Sequence, residues 1–127
     1  MRKLIIACDF DGTICEADFP NIGKPIKGAF KYLRKLKDDN HELILWTCRA
    51  NKSLMDALCW LEINGISFFD AVNENTETWK ELFPEFKHDK ESRKIFADAY
   101  IDDKQIGGMQ DWGEIYEYIN EVANETD

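Results

Sequence analysis

Leu4-Ile5-Ile6-Ala7-Cys8 is an apolar run without polar alternation, the pattern of a strand buried on both faces. It ends in Asp9-Phe10-Asp11-Gly12-Thr13. Leu43-Ile44-Leu45-Trp46 repeats the pattern and ends in Thr47-Cys48-Arg49, and Tyr100-Ile101 does so more briefly before Asp102-Asp103. Between the first two runs, Ile26, Ala29, Phe30, Leu33 and Leu36 recur at helical spacing, with Pro25 as the expected opener. Strand, helix, strand implies a right-handed parallel crossover. A second helix is predicted from about Ser53, with Leu54, Ala57, Leu58 and Leu61 on one stripe and Gly65 as its stop. A short strand near Phe68 to Val72 follows. Asp111 and Glu114 resemble a capping box and open a last helix whose inward face is Trp112, Ile115, Ile119 and Val122. Residues 73–93 keep no period and predict a loop with one short helix.

This alternation predicts an α/β fold: a single-domain, Rossmann-like open sheet, mostly parallel, with helices on both faces and no cap domain. In such sheets ligands bind outside the carboxyl ends of the strands, which is where the three polar strand ends would meet. The length of 127 residues fits one domain spanning 1–127 and suffices for a core without staples.

Composition narrows the function classes. The net charge of −9 opposes general nucleic-acid binding and attraction to anionic lipid. The basic run Lys24, Lys27, Lys31, Arg34, Lys35 and Lys37 goes against that sign, either as a solvated helix face or as local attraction for an anionic substrate. The 4 cysteines form no CxxC pair and have no histidine at metal spacing, so zinc is not expected, and free thiols in a chain of this size point to the cytoplasm. Asp9 interrupts the first apolar run too early for a signal peptide, and no stretch is long enough to span a bilayer.

The candidate chemistry lies at the strand ends. Asp9 and Asp11 stand two apart and can project toward one crevice, and Asp102-Asp103 add two more acids from another strand. Such carboxylates repel unless a proton or a cation neutralises them, and Mg²⁺ with oxygen ligands resolves the charge. The plain alternative is acids that cap loops and helices. Gly12 permits a sharp bend and close backbone approach, Thr13 and Thr47 supply small hydroxyl donors, and Lys94 supplies a point cation for phosphate. Arg49 either binds substrate or forms a surface ion pair, and Cys48 is read as packing.

Asp9-Phe10-Asp11-Gly12-Thr13, Thr47 after an apolar strand, Lys94, and Asp102-Asp103, in that order, resemble the four motifs of the haloacid dehalogenase superfamily. The resemblance runs from residue 4 to 103. It implies a phosphate monoester hydrolase in which Asp9 forms an aspartyl-phosphate and Asp11 acts as acid and then base. It further implies Mg²⁺ held by the Asp9 carboxylate, the Asp11 backbone carbonyl and Asp102, with Asp103 bound directly or through water. Thr47 and Lys94 would hold phosphoryl oxygens, with Lys90 as the competitor for the lysine. Dehalogenation is disfavoured, because the members that perform it lack the second acid. Ile14 to Lys24 and Phe68 to Arg93 are too short for a cap, so the chain resembles the small capless members.

The partner implied is a small phosphorylated substrate. The cover that a capless crevice needs would come from Cys15 to Lys24, from Asn73 to Arg93, from a second subunit in a homo-oligomer, or from a bulky substrate. Trp79, Phe83 and Phe86 are candidates to stack on a substrate ring, against the alternative of local packing. A phosphotransferase of the same superfamily and a non-catalytic metal- or partner-binding domain are the competing readings. A signalling receiver domain fails on order, because its lone acid belongs where Thr47 stands.

Overall fold

The structure is a computed structural model that describes residues 1–84 and 92–125. Its sheet is built on β1 (Ile5–Cys8), every residue of which is buried, as the unbroken apolar run requires. Strands β4 (Glu42–Leu45) and β6 (Ala99–Ile101) flank it, β5 (Ala71–Val72) pairs with β4, and all these pairings are parallel. Between β1 and β4 come an antiparallel hairpin of β2 (Cys15–Asp18) and β3 (Asn21–Pro25), then α1 (Ala29–Asp38). Helix α2 (Asn51–Ile63) joins β4 to β5, α3 (Glu77–Leu82) lies between β5 and β6, and α4 (Trp112–Asn124) follows β6.

Handedness decides which face each helix covers. The chain steps from β1 to β4 to β5 in one direction, so right-handed crossovers put α1 and α2 on the same face. The return from β5 past β1 to β6 runs the other way and must cross the opposite face, which is where Trp79 of α3, Ile95 and Ala97 pack. Helix α4 then returns to the first face beside α1. Leu4, Ile6, Cys8, Leu43 and Leu45 point into the first core with Ala29, Leu33, Ala57, Leu61, Trp112, Ile115 and Ile119, while Ile5, Ala7 and Ile44 point into the second. The fold is thus a small Rossmann-like α/β domain with helices on both faces: among the described residues, three on one side and a six-residue helix on the other.

Local signals behave as expected at most element ends. Asp111 caps α4 by accepting the Glu114 N–H at 3.1 Å, and Gly65, with φ 78°, ends α2. Pro25 does not open α1. It closes β3 opposite Cys15, because residues 15–25 form a hairpin and the helix starts four residues later. The strand expected over Phe68 to Val72 is only Ala71–Val72, the part that pairs with Ile44 and Leu45. Val122 is half-buried, and Ala123 completes the inward face of α4. Among the described residues no helix is long and apolar enough to cross a membrane.

Candidate active site

Register brings the polar strand ends together. Cys8 is level with Leu45 on one side and Ile101 on the other, so the next residues, Asp9, Trp46 and Asp102, emerge side by side. The ladder continues one bond further on each side: Asp9 donates its N–H to Ile101 O at 2.9 Å and Trp46 donates to Cys8 O at 2.9 Å. Cys8 lies directly below. Burial, then the charges of Asp9 and Asp102, push its pKa well above the ordinary thiol value, which keeps it an inert thiol.

Asp9, Asp102 and Asp103 each offer a carboxylate oxygen within 4.8 Å of the others. The Asp9 carboxyl is pushed up to about 7, first by burial, then by its hydrogen bond with Asp103 and the charge of Asp102. The Phe10 N–H and the Thr13 hydroxyl oppose this shift. One Asp103 oxygen, Oδ1, is buried and has no hydrogen-bond partner. Three carboxylates this close together, one with a buried oxygen lacking a donor, could hold a hard cation through oxygen ligands. Mg²⁺ fits this donor set.

The turn after β1 holds the cluster in place. Gly12 adopts φ 84°, and a Cβ there would lie 2.2 Å from Asp103 Oδ2, so the close approach expected of Gly12 is made to Asp103. Thr13 is fully buried; its hydroxyl donates to Asp9 Oδ2 at 3.1 Å and accepts from the Asp103 N–H at 3.1 Å. Its one O–H is therefore used on Asp9, and Thr13 orients that carboxylate where a phosphate donor was expected. The Trp112 indole N–H donates to Thr13 O at 3.0 Å and ties this turn to the start of α4. Thr47, half-buried at the end of β4, accepts from the Arg49 N–H at 3.1 Å and keeps its O–H for another acceptor.

Asp11 and Arg49 differ most from expectation. The Asp11 carboxylate does not join the three converging acids; it receives Arg49 Nε at 2.8 Å and Nη2 at 2.7 Å as a bidentate pair. Arg49 is only 2% exposed, so it is neither a surface ion pair nor open to substrate. Its hydrogen bond to Asp11 raises its pKa further.

Lys94 borders a cavity of about 330 Å³ with Trp46, Tyr100, Asp102, Lys104 and Gln105, and its ammonium lies 5.6 Å from the centre of the Tyr100 ring. Lys104 borders the same cavity and is a second cation missed in the sequence, because a lysine after Asp102-Asp103 carries no signal of its own. Larger concavities of about 510 Å³ and 870 Å³ lie along β6 and α4 and around the starts of α1 and α4, and neither is bordered by Asp9, Thr47 or Asp102. Lys90 and Phe86 lie outside the described residues.

Of the aromatic candidates in the described residues, Trp79 packs against the sheet and Phe83 lies against Trp79, partly exposed. Trp79 lies against the second core, stacks with Phe96 at 6.1 Å and meets Phe83 in a tilted contact at 5.1 Å. Helix α3 turns Trp79 to the sheet, because the return crossing to β6 needs apolar cover there. Cys48 is exposed and not packed.

The chain is similar to a solved structure, that of the conserved protein coded by a locus from Bacteroides thetaiotaomicron, with 40% identity over 98% of this chain and 94% of that one and a TM-score of 0.82. It belongs to the family of that protein. No protein-family model and no curated protein matches it. The shared fold extends over nearly all of both chains, so the sheet, the hairpin segment and the strand-end loops all fall within the matched length.

Proposed function

We propose that this protein is a Mg²⁺-dependent phosphate monoester hydrolase of the haloacid dehalogenase type, acting through an aspartyl-phosphate on Asp9. The observation that carries the reading is the convergence of the Asp9, Asp102 and Asp103 carboxylates, one of which, that of Asp103, has a buried oxygen without a hydrogen-bond partner. Those three side chains would hold the ion, together with the Asp11 backbone carbonyl that the resemblance implies. When bound, Mg²⁺ supplies positive charge that lets the three acids ionise together and offsets charge on the transferring group.

Thr13 grips one oxygen of Asp9 and so fixes the rotation of its carboxylate. Asp9 attacks phosphorus, the bond from phosphorus to the alcohol oxygen breaks, and that oxygen takes a proton from Asp11. Water then attacks phosphorus and gives its proton to Asp11 as Asp9 is released. Thr47 and Lys94 hold phosphoryl oxygens. Asp11 would act in these steps through a lone pair that Arg49 leaves free on one of its oxygens, so the guanidinium keeps its carboxyl in one orientation throughout. A small phosphorylated metabolite is the substrate class, and the four free cysteines fit a cytoplasmic setting.

The test is hydrolysis of a panel of phosphate monoesters with and without chelator. Turnover should vanish in excess chelator and return with Mg²⁺. Full activity in chelator would refute the metal assignment, and no turnover on any ester with Mg²⁺ present would refute the hydrolase.

A further inference from the structure

Arg49 forms five hydrogen bonds with its five N–H donors, and the acceptors come from separate parts of the fold. Nε and Nη2 reach the two Asp11 oxygens in the turn after β1. The second Nη2 hydrogen goes to Asn21 O at 2.9 Å, and Nη1 donates to Pro20 O and to Ser53 O, each at 3.2 Å. Pro20 and Asn21 form the turn of the hairpin between β2 and β3, and Ser53 lies in the first turn of α2. The guanidinium carbon is 5.2 Å from the ring centre of Phe10 in the core and 5.1 Å from that of Phe19 at the hairpin turn. At 2% exposure no donor has water as a ready substitute.

A planar guanidinium offers its donors in fixed directions. If the hairpin turn lifts, two buried N–H groups lose their acceptors at once. If the Asp11 carboxylate rotates away, the other side of the same plane is stripped. We infer that Arg49 is a positioning residue that joins the seating of the β2–β3 hairpin and the orientation of the Asp11 carboxylate into a single arrangement. The hairpin turn is thereby tied to the turn after β1 and to the start of α2 through one side chain that does not itself touch substrate. The catalytic part of this inference rests on the hydrolase reading; the anchoring part does not.

The experiment compares wild type with Arg49→Lys, Arg49→Ala and Asp11→Asn in two arms, each variant first checked for a cooperative melt. In the first arm, amide hydrogen exchange is followed over residues 15–25, with α1 as the internal control. All three variants should exchange at least roughly tenfold faster in the hairpin, with α1 unchanged, because an ammonium cannot span the set and an amide cannot keep the bidentate pair. In the second arm, kcat and KM are measured for p-nitrophenyl phosphate. Both Arg49 variants should lose roughly tenfold or more in kcat with KM within about threefold, and millimolar guanidinium should restore part of the rate to Arg49→Ala. Hairpin exchange as in wild type, or a fall in melting temperature with kcat unchanged and no guanidinium rescue, overturns the inference. If neither Arg49 variant folds, Asp11→Asn decides, since it keeps Arg49 and must still loosen the hairpin. A wild type without turnover defeats the hydrolase reading alone, and the exchange arm still decides the anchoring.

Discussion

Replacing Asp9 with Asn should remove turnover and yet make the metal-free protein more stable at pH 8. The Asp9 carboxyl titrates at about 7 in the fold against 3.8 ordinarily, chiefly because of burial. Between those values the folded chain holds a proton that the unfolded chain has released. The stability associated with Asp9 is therefore complete below about pH 4 and is lost as pH rises through about 7. A shift of that size corresponds to about 4 kcal/mol at most, and partial solvation of the site reduces it to about 1–2 kcal/mol. Asn is neutral at every pH and can donate toward the neighbouring carboxylates, so Asp9→Asn should match wild type at pH 4 and exceed it by that amount at pH 8. For a chain of this length the gain is a rise of about 5 °C in melting temperature. Mg²⁺ at a hundredfold excess over its Kd should add about 2.7 kcal/mol to wild type at pH 8 and little to the variant. His41, whose pKa burial lowers, titrates with the opposite sign, losing stability as pH falls below about 6.5. It cancels in the difference between the two proteins. The assay is urea denaturation from pH 4 to 8 in chelator and again in Mg²⁺. Parallel stability curves for the two proteins at all pH values, or equal stabilisation of both by Mg²⁺, would refute this account of the cluster.

The other predictions concern the cavity and the second core. Lys94→Ala should lower kcat more than it raises KM, since a cation on the cavity that Asp102 borders acts mainly on charge that grows in the transition state, and steady-state kinetics on one ester will show the split. A larger loss in Lys90→Ala would move the phosphate-binding lysine to residue 90. Trp79→Ala should destabilise the fold by about 2–3 kcal/mol, roughly 10 °C in melting temperature, and affect all esters alike, because Trp79 covers the sheet; an altered ester preference at unchanged stability would return it to the substrate site.

What the sequence by itself determined here is what depends on neighbours along the chain. Unbroken apolar runs specify strands buried on both faces, stripes of Ala57 and Leu61 or of Ile115 and Ile119 specify helix faces, and Asp111 with Glu114 specifies a start. The polar strand ends were legible for the same reason, since a parallel sheet must place Asp9, Thr47 and Asp102 at one edge. The tertiary structure decided the partners of polar side chains and the covering of faces. Arg49 reaches Asp11 across 38 positions and the Trp112 indole reaches Thr13 across 99, and nothing in the local pattern announces either bond. The hairpin of residues 15–25 has little apolar alternation of its own, and its turn meets the rest of the fold through the donors of Arg49, 28 positions beyond Asn21. Trp79 packs against the second core because the return crossing to β6 leaves a sheet face that needs apolar cover. Hydrophobic periodicity is a property of adjacent residues, whereas a buried hydrogen bond is satisfied only by whatever group the completed fold brings within about 3 Å.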